Sequence, residues 1–338
     1  MNVVYINPLP TCESFLDYDD SEIDKGSICS NNSLSIFGKS IISRNMDILD
    51  SLYNVDKIVI PKKMGFLTQM INTSHPGFTE VIDDKDYKKL IDTEFDNDAK
   101  KGLMGSLNGC DNNLNRRFNQ AQSVIVSDKS SLLLPINSIL EKNSSKRNLK
   151  FQMFRYPWEF LEIVNDLLQS EIKETCISNT SSIAKSSIID GPCIIDDGVT
   201  IDDFVKVKGP AYIGKGSFIG MGSLIRSSML NYNTSIGFNC EIGKSYFAGN
   251  DKISHHNVIL DSIIGKNVWF GGYSGTANVL LNRKNVCYKS EGRLIDTGKA
   301  HFGAVVSNNS SIGAAVIILP GRKILPDSVI QAGTIFEK

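Results

Sequence analysis

The stretch SSIAKSSIIDGPCIIDDGVTIDDFVKVKGPAYIGKGSFIGMGSLIR, residues 181–226, decides the fold. Within it Ile183, Ile189, Ile195, Ile201, Val207, Ile213, Ile219 and Ile225 follow one another at intervals of six. Six is a multiple of the two-residue side-chain period of a strand and out of step with the 3.6-residue turn of an α-helix. Each hexad therefore supplies a short strand with one aliphatic residue turned inward, and then a corner. Three hexads close a coil of about 18 residues, which stacks Ile183, Ile201 and Ile219 in one column and Ile189, Val207 and Ile225 in another. β-Branched side chains fill such columns well. The expectation is a parallel β-helix over 182–338.

Working outward, the phase slips near Asn231, where Ile236 and Ile242 take over the repeat. The pattern fails from Tyr246 to Asn257, recovers at Ile264 and Phe270, fails again over 279–303, and returns at Ile312, Ile318, Ile324 and Ile330. Interruptions of a repeat leave the column as loops, and loops on a rigid scaffold favour binding groups. His255, His256 and the DTGKAHFGA segment at 296–304 fall in these stretches.

Before the repeat, PWEFLEIVNDLL has one broad apolar face (Trp158, Phe160, Leu161, Val164, Leu167, Leu168) and a proline at its first turn, which predicts a helix. Residues 156–181 are expected to link two domains and to cover the first coil. Residues 1–155 read as a reduced α/β domain. Asn2 to Ile6 and Lys57 to Ile60 are expected strands, and Ile41, Ile42, Met46, Ile48, Leu49 and Leu52 mark a helix between them. A further strand is expected at Ser123 to Val126, and 83–119, rich in Asp, Asn and Lys, reads as an excursion.

Thirty-six Lys and Arg against thirty-seven Asp and Glu give a net charge of -1, which supplies no long-range field for nucleic acid or a membrane. The first residues lack a basic leader, and no apolar run approaches the roughly 20 residues that span a bilayer. Seven Cys with no CxxC pair read as reduced thiols in a cytoplasmic protein. No metal site is expected from them.

YPWEFLEIVNDLL at 156–168, PAYIGKGSFIG at 210–220, SHHNVILDSIIGKNVWFGG at 254–272, TAN at 276–278 and DTGKAHFGA at 296–304 together resemble the archaeal bifunctional sugar-1-phosphate nucleotidylyltransferase and glucosamine-1-phosphate acetyltransferase family, GlmU-like proteins with a nucleotidyltransferase-like α/β domain and a left-handed parallel β-helix. That resemblance implies an acetyl-CoA-dependent N-acetyltransferase acting on an amino sugar, its phosphate or its nucleotide, in a homotrimer. It implies His255 as general base and Asn278 as a positioning group. Lys284 is matched to a lysine facing the acceptor phosphate, and Arg226 and Tyr273 join it as candidate acceptor-binding residues. Gly303 and Ala304 are matched to the CoA channel, and the basic pair Arg322 and Lys323, after Pro320 and Gly321, are candidates to meet CoA phosphates by charge-assisted hydrogen bonds. Val258 replaces a family tyrosine, Tyr273 replaces a small residue, and the chain is one hexad shorter between Gly243 and His255.

The N-terminal half lacks the family's phosphate loop. NPLPTCESF follows strand one without a glycine-rich turn, and Gly38 and Lys39 do not complete GxxxxGK[ST]. Mg²⁺ is implied only if nucleotidyl transfer is retained. Two alternatives therefore stand beside acetyl transfer: a non-catalytic sugar-nucleotide-binding homologue and a nucleotidylyltransferase.

Overall fold

The computed structural model describes residues 3–7, 34–53, 55, 57–61, 79–83, 85–86, 89–90, 131–135, 138–140, 142, 151–154, 156–290 and 292–337. Packing divides the chain into two units, one built around Lys39–Arg155 and the other around Tyr156–Lys338 together with Ser33–Gly38. The strand expected at Ser123 to Val126 and most of the 83–119 excursion lie outside the described residues.

In the first unit, strands Thr79–Ile82, Lys57–Pro61, Val3–Asn7 and Ser131–Pro135 form a parallel sheet in that spatial order. Parallel neighbours need a crossover, and helix α1, Ile41–Tyr53, lies in sequence between the paired strands Val3–Asn7 and Lys57–Pro61. Its apolar face buries Ile41, Met46 and Leu49. Arg44 and Asn45 are buried too, and both bind the Leu140 backbone, Arg44 Nη1 to the carbonyl at 2.6 Å and Asn45 Oδ1 from the N–H at 2.9 Å. The strands expected at Asn2 to Ile6 and Lys57 to Ile60 and the helix between them are present within a residue or two of their expected ends.

The second unit is a parallel β-helix of three eight-stranded sheets. The first face starts at Ser182–Ile183, the second at Ile188–Asp190 and the third at Cys176–Ile177. Register aligns Ile183, Ile201, Ile219, Ile236, Ile253, Phe270, Ile312 and Ile330. A second column runs Ile189, Val207, Ile225, Ile242, Ile259, Thr276, Ile318 and Phe336. A third runs Ile177, Ile195, Ile213, Leu230, Phe247, Ile264, Val306 and Ile324. These columns form most of one continuous core. Each fully buried aliphatic contributes about 1.5 to 3 kcal/mol of transfer free energy before chain entropy is deducted.

The expected interruption at Tyr246 to Asn257 is corrected by this register. Phe247, Ile253 and Ile259 all continue the columns. What changes is the corner from the second face to the third. It loses one residue after Lys208–Pro210, with Ser227 (φ 47°), Lys244 (φ 48°) and Asp261 (φ 45°) turning the chain in the left-handed region. A shorter corner shifts the hexad phase while leaving the stack intact. His255 and His256 are therefore in a regular corner, and among the described residues only the stretch after Ala277 up to Phe302 leaves the column.

The corner from the third face to the first carries its own ladder. Asn233, Asn250, Asn267 and Asn309 all adopt left-handed φ of 53° to 59°, a conformation asparagine tolerates better than most side chains. Their amides pair along the stack, Asn233 to Asn250 and Asn267 to Asn309, each at 3.1 Å.

Helix α2, Pro157–Glu171, also differs from expectation. Glu159 accepts the Tyr156 N–H at 3.0 Å and Pro157 opens the helix, as its sequence requires. Its aromatic contacts are not with the first coil. Phe160 meets Tyr246 edge-on at 5.0 Å, and Trp158 meets Tyr288 at 5.5 Å and Phe302 at 6.2 Å. Tyr246 points outward from the third face, because its neighbour Phe247 fills the core. The helix thus covers apolar groups on the outside of that face, where an apolar ring would otherwise meet water, and Ile177 of the first coil remains exposed.

The segment 34–38 covers the same outer surface. The Tyr246 hydroxyl accepts the Ser35 N–H at 2.8 Å and donates to the Ser35 carbonyl at 3.0 Å. Burial pushes the pKa of this phenol up, so the hydroxyl keeps the proton it donates. Asn231, fully buried, donates to the Ser35 and Phe247 carbonyls at 3.3 and 2.8 Å and accepts the Gly38 N–H at 3.1 Å. Gly38, at φ +76°, has the Tyr212 hydroxyl 2.8 Å from where a Cβ would stand, so a side chain there is excluded on two grounds.

Replacing Tyr246 by Phe keeps the ring packing and strands the buried Ser35 N–H, while the Ser35 carbonyl keeps its donor in Asn231. The expected cost is about 1 to 3 kcal/mol, read as a lower urea midpoint for loss of the β-helix with the slope unchanged.

Candidate functional site

The corner between the first and second faces carries Ser254, His255, His256 and Asn257, one turn of a stack whose neighbouring coils bring Phe238 and Asn239 on one side and Tyr273 on the other. Main-chain bonds fix the register, since His256 N–H donates to the Phe238 carbonyl at 2.9 Å and Tyr273 N–H to the His255 carbonyl at 3.0 Å. Side chains then pair across coils. His255 Nδ1 accepts the Phe238 backbone N–H at 3.2 Å, and His256 Nδ1 lies 3.3 Å from the Asn239 amide nitrogen. Phe238 meets the His256 ring in a T-shaped contact at 5.2 Å, and Tyr273 stacks on that ring at 4.8 Å and 17°. His255 is exposed and His256 half-buried.

Tyr273 has φ 60° and remains 67% exposed. Bulky residues in the left-handed region are rare, and the same rung holds Phe204 (φ 58°) and His256 (φ 57°) as well as Gly222, Asn239 and Gly333. The aromatic ring is kept at that conformational cost, in contact with an imidazole. Phe204, Met221 and Phe238 also lie exposed along this corner, and Phe218, Val258 and Trp269 flank it. An exposed apolar band of this extent is a feature of interaction surfaces.

Asn278 lies at the next corner, between the second and third faces. Its amide donates to Asp261 at 2.6 Å and stands 3.5 Å from Nδ1 of His301. His255 and Asn278 are thus not brought together within one chain, because the strand between their corners alone spans roughly 10 Å. His301 was missed in the sequence. Its signal is position, at the end of the excursion after Ala277, where Phe302 and Gly303 rejoin the column by N–H bonds to the Asn278 and Asp261 carbonyls at 3.0 and 2.8 Å.

That excursion is a built structure. Its hairpin pairs Cys287–Ser290 with Arg293–Asp296, it buries Tyr288 and Phe302 against Trp158, and Lys299 pairs with Glu162 of α2. Lys284 is exposed on it, with Arg283, Lys289 and Arg293. Leu281 is fully exposed, at 103%.

The remaining candidates are occupied by the fold. Arg226 makes two bonds to Glu241, at 2.9 and 3.0 Å. A Cβ on Gly303 would stand 2.1 Å from Ser262 Oγ and 2.2 Å from the Leu260 carbonyl, so this glycine is needed for close packing. Ala304 faces the core, and its N–H is taken by Ser262 Oγ at 3.0 Å. Arg322 donates to the Glu337 and Pro320 carbonyls at 2.8 and 3.0 Å. Lys323 pairs with Val305 on the third face. Gly303 and Ala304 are thus held by close packing and by the bond from the Ala304 N–H to Ser262 Oγ. Among the described residues no three His, Cys, Asp or Glu side chains cluster as metal ligands, and no helix is long and apolar enough to cross a membrane.

A family model described as bacterial transferase hexapeptide (six repeats) matches residues 177–227. The bifunctional protein GlmU of Methanococcus vannielii is 34% identical over 89 residues, 26% of this chain and 21% of that protein. The bifunctional sugar-1-phosphate nucleotidylyltransferase/acetyltransferase of Sulfurisphaera tokodaii is 30% identical over 95 residues, 28% of this chain and 24% of that protein. The chain thus spans about a fifth to a quarter of the length of these relatives. Among solved structures, LpxA from Acinetobacter baumannii overlaps 47% of this chain and 66% of its own, at 15% identity and a TM-score of 0.29.

The stacking of Tyr273 places the His256 ring inside the shielding cone of the phenol. The His256 ring protons are expected upfield of their ordinary position in proton NMR spectra, and Tyr273→Leu is expected to return them. Unshifted His256 protons in the unaltered chain would refute the stack.

Proposed function

We propose that this chain transfers an acyl group from a CoA thioester to the amine of an amino sugar, free, phosphorylated or nucleotide-linked, as a cytoplasmic homotrimer. The observation that carries this reading is the His255–His256 pair. Two imidazoles stand at one corner of a hexapeptide solenoid, each with Nδ1 held by the preceding coil and Nε2 without a protein partner among the described residues. The Sulfurisphaera tokodaii relative supports it by its name, which joins a sugar 1-phosphate to acetyl transfer.

The chemistry is addition and elimination at a thioester. The amine nitrogen attacks the carbonyl carbon, a tetrahedral oxyanion forms, and the carbon–sulfur bond breaks. An imidazole nitrogen suits the proton the amine must lose, and N–H donors suit the oxyanion. A CoA donor brings an apolar arm and phosphates. The excursion offers exposed Leu281 beside the cations Arg283 and Lys284, whose side chains have no protein partner among the described residues. These residues fit the donor better than Gly303 and Ala304 do.

Asn278 and the histidines occupy different corners, so both can serve one reaction only if two copies meet, corner against corner. The exposed band of Phe204, Phe238 and Tyr273 gives such a meeting its apolar surface.

Three measurements test the reading. Purified chain with acetyl-CoA and a panel of amino sugars is expected to release free thiol with at least one acceptor, and no release with any of them would exclude it. Replacing both His255 and His256 by Ala is expected to lower turnover by at least about 10². Copies carrying that double change, mixed by refolding with copies carrying Asn278→Ala, are expected to recover activity, since about a quarter of the sites then pair intact residues. Failure to complement, with both parents inactive and trimeric, would refute the shared site.

A further inference from the structure

Asn278 follows the second-face strand Gly275–Thr276, and Asp261 precedes it by seventeen positions on the same rung. Stacking sets the two side chains against each other, and the Asn278 amide nitrogen donates to Asp261 Oδ2 at 2.6 Å. His301 reaches the same nitrogen from the end of the excursion, with Nδ1 at 3.5 Å. Phe302, the next residue, fixes that approach through its N–H bond to the Asn278 carbonyl at 3.0 Å. Ser227 and Lys244 turn the same corner in earlier coils, so the turn itself does not call for a carboxylate at 261.

An amide carries two hydrogens on nitrogen and lone pairs on oxygen, and its two ends are nearly equal in shape. The partners tell them apart. A carboxylate accepts, so nitrogen faces Asp261, and turning the amide end over end would set oxygen against oxygen. That same nitrogen can only donate to His301, so Nδ1 of the imidazole accepts from it. Both hydrogens of the Asn278 amide are therefore directed at protein, and its oxygen meets no protein donor among the described residues. Asn278 is only half-buried and His301 is exposed, so a ligand at this corner finds the amide as an acceptor.

We infer that Asp261 and His301 are positioning residues, which take both amide hydrogens and leave Asn278 Oδ1 to accept a hydrogen bond from the amine of the acceptor sugar. The inference rests on the acyl-transfer reading and gives Asn278 a direction of bonding. An attacking nitrogen needs its lone pair for the thioester carbon, so protein groups hold it productively through its N–H bonds, and an acceptor oxygen does this. Attack forms the nitrogen–carbon bond, and collapse of the oxyanion breaks the carbon–sulfur bond. The general base takes one amine proton and passes it to the departing thiolate or to solvent, and the N–H held by Asn278 becomes that of the product amide. Asn278 has no hydrogen left for the oxyanion, whose donor is another group.

Exchanging the two side chains tests the direction of the bonds. Asn278→Asp sets two carboxylates on one rung and is expected to lower turnover by about 10². Adding Asp261→Asn reverses donor and acceptor within the pair, keeps an oxygen toward the ligand, and is expected to regain at least about tenfold. A doubly changed chain no more active than Asn278→Asp overturns the proposal. His301→Leu is expected to lower kcat/KM for the amino sugar about three- to tenfold and to leave KM for acetyl-CoA unchanged, and His301→Gln, whose oxygen can take the same hydrogen, to restore it. An equal rise in KM for acetyl-CoA, or no recovery with Gln, overturns the part given to His301.

A further arm needs no turnover. In nitrogen-15 spectra of the full chain, the Asn278 side-chain amide is assigned by its loss in Asn278→Asp. Both of its protons are expected to exchange slowly with water, and one of them faster in His301→Leu. Free exchange of both in the unaltered chain overturns the proposal whether or not any sugar is acetylated. Slow exchange without acetylation of any amino sugar sinks the acyl-transfer reading instead, and the ligand role of Asn278 falls with it.

Discussion

Everything in the second unit depends on the parallel hydrogen bonding of one coil to the next. Each strand of two to four residues is too short to hold itself, and its backbone groups are satisfied only by the coils above and below. That constraint requires every coil to place one inward side chain per face at a fixed register, which the three aliphatic columns do from the first coils to the last. It also explains why corners tolerate variation in length. A corner one residue shorter, as at Ser227, Lys244 and Asp261, changes the count along the chain without moving any strand out of its sheet.

The stack creates rungs, and rungs bring together residues that are seventeen positions apart. Asn239, His256 and Tyr273 meet for this reason alone, as do Asn233 and Asn250. The true excursion after Ala277 is of a different kind. It leaves the column, so its order comes from side-chain packing, with Tyr288 and Phe302 against Trp158 and Lys299 against Glu162. Helix α2 therefore holds both the third face and the loop that carries His301. A site assembled on these parts would be supported by a regular scaffold on one corner and by a helix on the other.

The distribution of polar partners limits what each candidate can do. Arg226 is neutralised by Glu241, and Arg322 is spent on two carbonyls. The imidazoles differ in their Nδ1 partners, a distinction that is chemical and invisible in the residue types. Exposed cations on the hairpin and the exposed aromatic corner remain the surfaces able to meet a charged donor and a second copy.

By itself, the sequence determined the repeat, because an inward aliphatic every six residues satisfies a strand period and no helical one. It determined α2 through Pro157 and its apolar face, and it marked the loop that carries His301 by the loss of periodicity. It misplaced the histidine pair in an interruption, since a corner shortened by one residue and a genuine excursion both break a hexad count. Only the tertiary structure decided between them, through the backbone register that returns Phe247, Ile253 and Ile259 to their columns. It alone set His256 under Tyr273, Asn278 beside His301, and α2 on the third face. Those pairings follow from where the coils stack, and stacking is a long-range property that no local pattern of residues encodes.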